Sequence, residues 1–167
     1  MRQTTVKIDS IIKLFSGYVL ARRRILDVLG VARSNRDPLA ELAEVVAAKY
    51  LDASPAFPRT NKGFDLIRQD GRTVEVKYVA NSSIDWNNGH DIFFPPGRDQ
   101  YALMIVVDFM PSVILILDKD CARRCYDGLG KSHLRQNHME LAVTPAMLRN
   151  IYLRKLDLTI YGVEMIH

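Results

Sequence analysis

The residues best placed to do chemistry are Val74-Glu75-Val76-Lys77, which follow Phe64-Asp65-Leu66 after a short interval. Successive side chains of a strand face opposite ways, so Glu75 and Lys77 share one side while Val74 and Val76 share the other. A carboxylate and an ammonium side by side among apolar neighbours form a small polar island. Adding Asp65 from the adjacent strand makes a hard oxygen site suited to Mg²⁺, which uses one or two carboxylates plus water and phosphate oxygens. Lys77 then lies near an attacking water and a scissile phosphate, and the metal would stabilise the developing charge. A bare Glu-x-Lys fits an ordinary ion pair on an exposed strand equally well. The surrounding elements favour the chemical reading.

Those elements follow from patterning. Asp9-Ser10 are N-cap residues for a helix to about Leu29, and Gly30 is a natural stop. Ile11, Leu14, Phe15, Tyr18, Ile25 and Leu29 recur there at helical spacing. Asp37 and Pro38 open a second helix through Leu51, because Asp caps and Pro fits the first helical position. Residues 52–62, with Pro55 and Pro58, are expected to be a loop. Residues 64–68 and 73–79 are expected to be strands joined around Asp70-Gly71.

The site depends on the length of that connection. A two-residue turn pairs Asp65 with Val76 and turns its side chain away from Glu75. A three-residue connection, Gln69 to Gly71, pairs Arg68 with Arg72 and Asp65 with Glu75. A bulge near Asp65 would serve the same end. The three-residue form is expected, with Gly71 left-handed at its last position.

Residues 80–100 form a long loop with one short strand near Ile92 to Phe94. The nearly continuous apolar runs 101–107 and 113–117 are expected to be strands buried on both faces. A helix over 119–129, a strand over 139–143, a helix from Thr144-Pro145 to about Lys155 and a short ending complete an α/β sandwich around a central mixed sheet.

The 167 residues suit one domain, with a basic N-terminal helical extension (1–36), a core (37–120) and a mixed C-terminal tail (121–167). Net charge is only +4, but it is unevenly spread. The extension holds eight Lys/Arg against two Asp (+6), the core eight against thirteen acids (−5), and the tail seven against four (+3). Two basic flanks around an acidic middle suit a nucleic acid gripped by its phosphates, and equally suit an ordinary solvated surface. Two cysteines imply no disulfide framework and a cytoplasmic setting. The apolar runs are too short to cross a bilayer, so no membrane partner is expected.

From Ala43 to about Leu117 the chain resembles the PD-(D/E)XK, or restriction-endonuclease-like, superfamily. The run Ala43-Glu44-Val45-Val46-Ala47-Ala48-Lys49-Tyr50-Leu51 is similar to its first core helix, which carries a Glu. Asn61-Lys62-Gly63-Phe64-Asp65-Leu66 resembles the strand with the first Asp, and Val74-Glu75-Val76-Lys77 the E-x-K strand. Phe64, not Pro, precedes Asp65. The resemblance implies a restriction-endonuclease-like core and a Mg²⁺- or Mn²⁺-dependent endonuclease acting on DNA, in restriction or defence, or in repair or junction resolution. A catalytically silent DNA-binding or assembly module is the alternative.

By the same resemblance Asp65 and Glu75 bind the metal, Lys77 assists the water and Glu44 adds an acidic group. Glu41 is explained by the helix dipole, whereas Glu44 has no basic residue four positions on. Arg22, Arg24 and Lys62 are candidate DNA contacts. Cutting both strands needs two sites, which a homodimer would supply.

Other patterns are less specific. Cys121, Cys125, His133 and His138 form a C-x3-C…H-x4-H array with a gap too short for a usual zinc finger. Trp86 and His90 either contact DNA or pack within their loop.

Overall fold

The computed structural model describes residues 8–56, 63–81, 83–129 and 140–167. It is a mixed α/β structure that divides into two compact units, residues 1–42 and 43–167.

The first unit is built on helix α1 (Ile8–Val28). The helix ends on Gly30, whose φ of +73° allows Val31 N–H to reach the carbonyl of Leu26 at 2.9 Å. Leu26 is fully buried. Leu14, Phe15, Tyr18 and Ile25, apolar at helical spacing, are instead exposed, by 77, 63, 54 and 46%.

Helix α2 (Pro38–Leu51) begins in this unit and runs into the second. Its start matches the sequence: Asp37 Oδ1 accepts the N–H of Leu39 at 2.8 Å, and Pro38 occupies the first turn.

The second unit holds a six-stranded mixed sheet in the order β1-β2-β3-β5-β6-β8. Its strands are β1 (Ala53–Pro55), β2 (Leu66–Arg68), β3 (Thr73–Asn81), β5 (Gln100–Val107), β6 (Met110–Asp118) and β8 (Glu164–Ile166). The first three form an antiparallel meander, β5 runs parallel to β3, and β6 and β8 follow antiparallel. Strand β4 (His90–Phe93) lies in the crossover from β3 to β5 and pairs with β7 (Glu140–Val143) in a separate two-stranded sheet. Helices α3 (Lys119–Leu129) and α4 (Pro145–Tyr152) complete the unit, with Thr144 capping α4 through its bond to Met147 N–H.

Every residue of β5 is buried, as its unbroken apolar run requires of a central strand. One face of the sheet, with Val79, Leu103, Ile105 and Leu115, packs on Ile92 of β4, Leu141 of β7, Cys125 of α3 and Leu148 of α4. Truncating a residue such as Leu103 in that core costs about 2–5 kcal/mol.

The loop expected over residues 52–62 is corrected in its described part. Residues 53–55 are not loop but an edge strand, a position that tolerates Pro55 because its backbone nitrogen need not donate there. The C-terminal segment ends in β8, which pairs with residues 114–116 of β6. Among the described residues no helix is long and apolar enough to cross a membrane.

Candidate active site

The β2–β3 connection has the expected length. Leu66 faces Val74, Ile67 faces Thr73, and Arg68 N–H bonds the carbonyl of Arg72 at 2.8 Å, leaving Gln69 to Gly71 as the turn. Gly71 takes a φ of +83°, a conformation costly for a residue with a Cβ. The paired register ends with Leu66 facing Val74, and the expected pairing of Asp65 with Glu75 is not part of it. Asp65 N–H reaches the carbonyl of Val74, at 2.9 Å, one residue out of step with the ladder.

The Asp65 side chain lies along the edge of β3. Its Oδ2 accepts the N–H of Val76 at 2.8 Å, taking the place of a strand partner where β2 has not yet begun. Val76 is the residue between Glu75 and Lys77, so the Asp65 carboxylate lies against the backbone of the Glu-x-Lys stretch, while Lys77 and Glu75 pair directly.

Glu75 is buried, its side chain only 11% exposed. Burying a carboxylate demands compensating charge, and two cations supply it. Lys77 Nζ pairs with Oε1, and Arg98 Nη2 pairs with Oε2 at 3.1 Å. Arg98 is itself 13% exposed and holds two loops: it donates to Gly63 O at 3.2 Å and to Phe93 O at 2.8 Å. Gly63 lies just before Asp65 and Phe93 at the end of β4. One guanidinium thus ties the approach to Asp65, the crossover and Glu75 together.

Tyr101 stands beside Glu75 in the parallel β3–β5 register, with the Arg98 guanidinium 5.9 Å from its ring centre. Its hydroxyl bonds His90 Nε2. Burial pushes the Tyr101 hydroxyl above its usual pKa; Glu75 raises it further, Arg98 opposes, and Asp65 and Asp91 add to the rise. Burial holds the His90 imidazole below its usual value, Lys77 lowers it further, and Asp91 opposes. Both groups are therefore neutral near pH 7.

The long segment 83–99 is tied down. Thr73 Oγ1 donates to Gly97 O at 2.8 Å, Asp99 Oδ2 accepts Thr73 N–H at 2.8 Å, and Arg149 Nε donates to Ile84 O at 3.0 Å. Trp86 is buried, edge-on to Tyr152 at 6.4 Å. It packs rather than presenting its ring for a contact.

Glu44 is buried at 5% exposure on α2. It does not complete a three-carboxylate set with Asp65 and Glu75, because no group of three or more His, Cys, Asp or Glu able to hold a metal occurs among the described residues. Mg²⁺ asks for less, one or two protein carboxylates with water and phosphate oxygens in its remaining positions, and Asp65 and Glu75 have that donor chemistry. They do not fit a structural metal cage. Glu41, also buried, accepts the Ser34 hydroxyl and faces Arg36 Nη1 at 3.9 Å.

Arg22 is committed within its own unit, donating to Ser34 O at 3.1 Å and Arg36 O at 2.6 Å, whereas Arg24 is exposed. Lys62, His133 and His138 lie outside the described residues. Cys121 and Cys125 are buried free thiols, and burial raises Cys125 to about 12, which disfavours the thiolate zinc needs. Arg98 and Tyr101 escaped the sequence reading. The available signal was a lone Arg after Pro95-Pro96-Gly97, directly before the longest buried strand.

No protein-family model matches the chain, and no curated protein is a match to it.

Proposed function

We propose that the protein is a Mg²⁺-dependent nuclease acting on DNA, with a restriction-endonuclease-like core, and that Asp65, Glu75 and Lys77 form its site. The reading is carried by one observation: the Asp65 carboxylate bonds the N–H of Val76, between Glu75 and Lys77 on β3. The meander β1–β2–β3 followed by a parallel β5 supports it by bringing the strand that follows Asp65 against the Glu-x-Lys strand.

In this reading Asp65 and Glu75 hold the metal, and Mn²⁺ can replace Mg²⁺. When bound, the ion supplies positive charge against the negative charge developing on the phosphate. Lys77, 44% exposed at the mouth of the site, orients the attacking water and contacts a phosphate oxygen. Arg98 positions the Glu75 carboxylate, and neutral Tyr101 and His90 exclude competing charge beside it.

Supercoiled and linear DNA, incubated with Mg²⁺ or Mn²⁺, should be nicked or cut, and EDTA should stop the reaction. Lys77→Ala should abolish cutting while retaining DNA binding. Asp65→Asn combined with Glu75→Gln should remove Mn²⁺ binding measured by electron paramagnetic resonance. Cutting by Lys77→Ala at the wild-type rate overturns the assignment of Lys77.

A silent DNA-binding module is the second reading, favoured by the engagement of both Glu75 oxygens by Lys77 and Arg98. DNA binding with neither cleavage nor Mn²⁺ binding would select it.

A further inference from the structure

Three features at the far end of β3 have no part in the site above. The first is the turn from β5 to β6. Val107 faces Met110, and the two residues between them, Asp108 and Phe109, have φ values of +49° and +60°. Two-residue hairpin turns of this hand match strand twist, but Asn and Gly are the residues that adopt them at low cost. A phenylalanine with positive φ is an outlier. Its ring is 71% exposed, so packing within this unit does not compensate for the strain.

The second feature is Asn81, the last residue of β3 and only 8% exposed. Its Oδ1 accepts the N–H of Asn87 at 3.4 Å and its backbone carbonyl accepts the N–H of Asp108 at 2.9 Å. Its Nδ2 is buried and makes no hydrogen bond. A buried donor left in that state calls for a partner.

The third feature joins the other two. Phe109 and Asn81, together with Ala80, Asn87 and Asn88, line one open cleft of about 310 Å³. Among the described residues no charged side chain lines it. A phosphate or carboxylate would find no cation there, and an aliphatic group would leave the Asn81 amide unanswered. A flat, neutral ring with acceptors on its edge answers both walls.

We propose that this cleft is a nucleobase subsite, in which Phe109 stacks on the base and Asn81, its buried amide turning toward the cleft on binding, donates through Nδ2 to the base edge. Asparagine matches base edges because its amide carries a donor and an acceptor side by side. Exposed aromatic rings are the usual platform for unpaired bases. The base is an unpaired one in a nucleic-acid strand or belongs to a free nucleoside; the recognition chemistry is the same. Asn81 lies on the same face of β3 as Glu75 and Lys77, about 20 Å along the strand from Glu75. That distance lies within reach of one short oligonucleotide. The subsite does not depend on phosphodiester hydrolysis.

The test uses the full chain in EDTA, which separates it from the nuclease reading. The probes are a DNA duplex with one bulged 2-aminopurine, the same duplex fully paired, and free adenosine. The bulged duplex should bind about ten-fold more tightly than the paired one, a preference of the size expected for stacking one base. The 2-aminopurine fluorescence should be quenched on binding. Phe109→Gly and Asn81→Ala should each bring the preference close to one, while Lys77→Ala leaves it in place. Gly accepts the left-handed turn, so Phe109→Gly keeps the hairpin. Adenosine binding lost in both variants, without a preference for the bulge, assigns the cleft to a free nucleoside. Equal binding of both duplexes with no adenosine binding overturns the proposal, as does a bulge preference that survives both substitutions.

Discussion

Arg98 and Glu75 meet at 3.1 Å between two largely buried side chains, and the same guanidinium holds the carbonyls of Gly63 and Phe93. Removing one partner of a buried ion pair leaves the other charge uncompensated. Arg98→Ala should therefore destabilise the second unit by about 3 kcal/mol, read by chemical denaturation. Arg98→Lys should recover only part of this, because one ammonium cannot reproduce the planar fork. Full recovery by lysine would mean that charge alone matters.

Lys77 touches the same carboxylate but is 44% exposed. An ion pair with one partner in solvent contributes little, about 0–1 kcal/mol. Lys77→Ala should therefore unfold within about 1 kcal/mol of the wild type while losing cleavage altogether. Separation of the two effects would distinguish Lys77, acting on substrate, from Arg98, acting through Glu75. A large stability loss in Lys77→Ala would mark it as structural instead.

What was legible in the sequence was legible for local reasons. Helix α2 announces itself by Asp37-Pro38, β5 by its unbroken apolar run, and the three-residue turn by Gly71 together with the parity that a joint site demands. The short edge strands β1 and β8 carry no such mark. Each is three residues long, and β1 contains a serine and a proline, so only pairing with distant strands makes it β. Arg98 was hidden because its partners, Gly63, Glu75 and Phe93, come together only through the parallel crossover. The Glu75–Lys77 pair was legible because alternation within a strand is a local rule, whereas Asp65 was added from the neighbouring segment. Glu44 came in through the family resemblance, and its place relative to Asp65 and Glu75 is a tertiary property that helical spacing does not encode.

His90 gives the second unit a sensitivity to acid. Burial, then the charge of Lys77, depress its pKa below the unfolded value of about 6.5. Between the folded and unfolded values the unfolded chain binds the additional proton, so stability rises with pH there. The contribution is complete above about pH 6.5. It is lost as pH falls through the lower folded value. Melting temperatures measured from pH 7.5 downwards should drop across this window in the wild type, and less so in His90→Gln. Parallel curves for the two proteins would remove His90 from the account.

Arg22 and Arg24 were grouped by the sequence as phosphate contacts, yet they differ in the first unit. Arg22 is held by the carbonyls of Ser34 and Arg36, and Arg24 is exposed. Arg22→Ala should loosen the segment after α1, raising amide exchange at residues 31–36. If Arg24 contacts a phosphate, Arg24→Ala should leave exchange unchanged and lower the salt dependence of DNA binding by about one unit of slope. Measuring log Kd against log salt for both variants tests the division. An unchanged slope in Arg24→Ala would mean that the residue is simply solvated.

Phe109 offers a test of whether strain is retained for binding. Its left-handed conformation costs a residue with a Cβ about 1–2 kcal/mol. Gly removes that cost but loses about 0.4–1 kcal/mol through the greater freedom of the unfolded chain. Because the ring is exposed, its removal opens no core cavity. The net gain should be about 0.5–1 kcal/mol, or a rise of about 2–4 °C in melting temperature. Phe109→Ala keeps the strained backbone and should gain nothing, so comparison of the two separates backbone strain from loss of the ring. Both should weaken base binding alike. Such a pattern, stability gained by Gly alone and binding lost in both, is what a strained contact residue predicts. A destabilised Phe109→Gly would mean that the ring packs usefully where it stands and that the turn holds no strain to release.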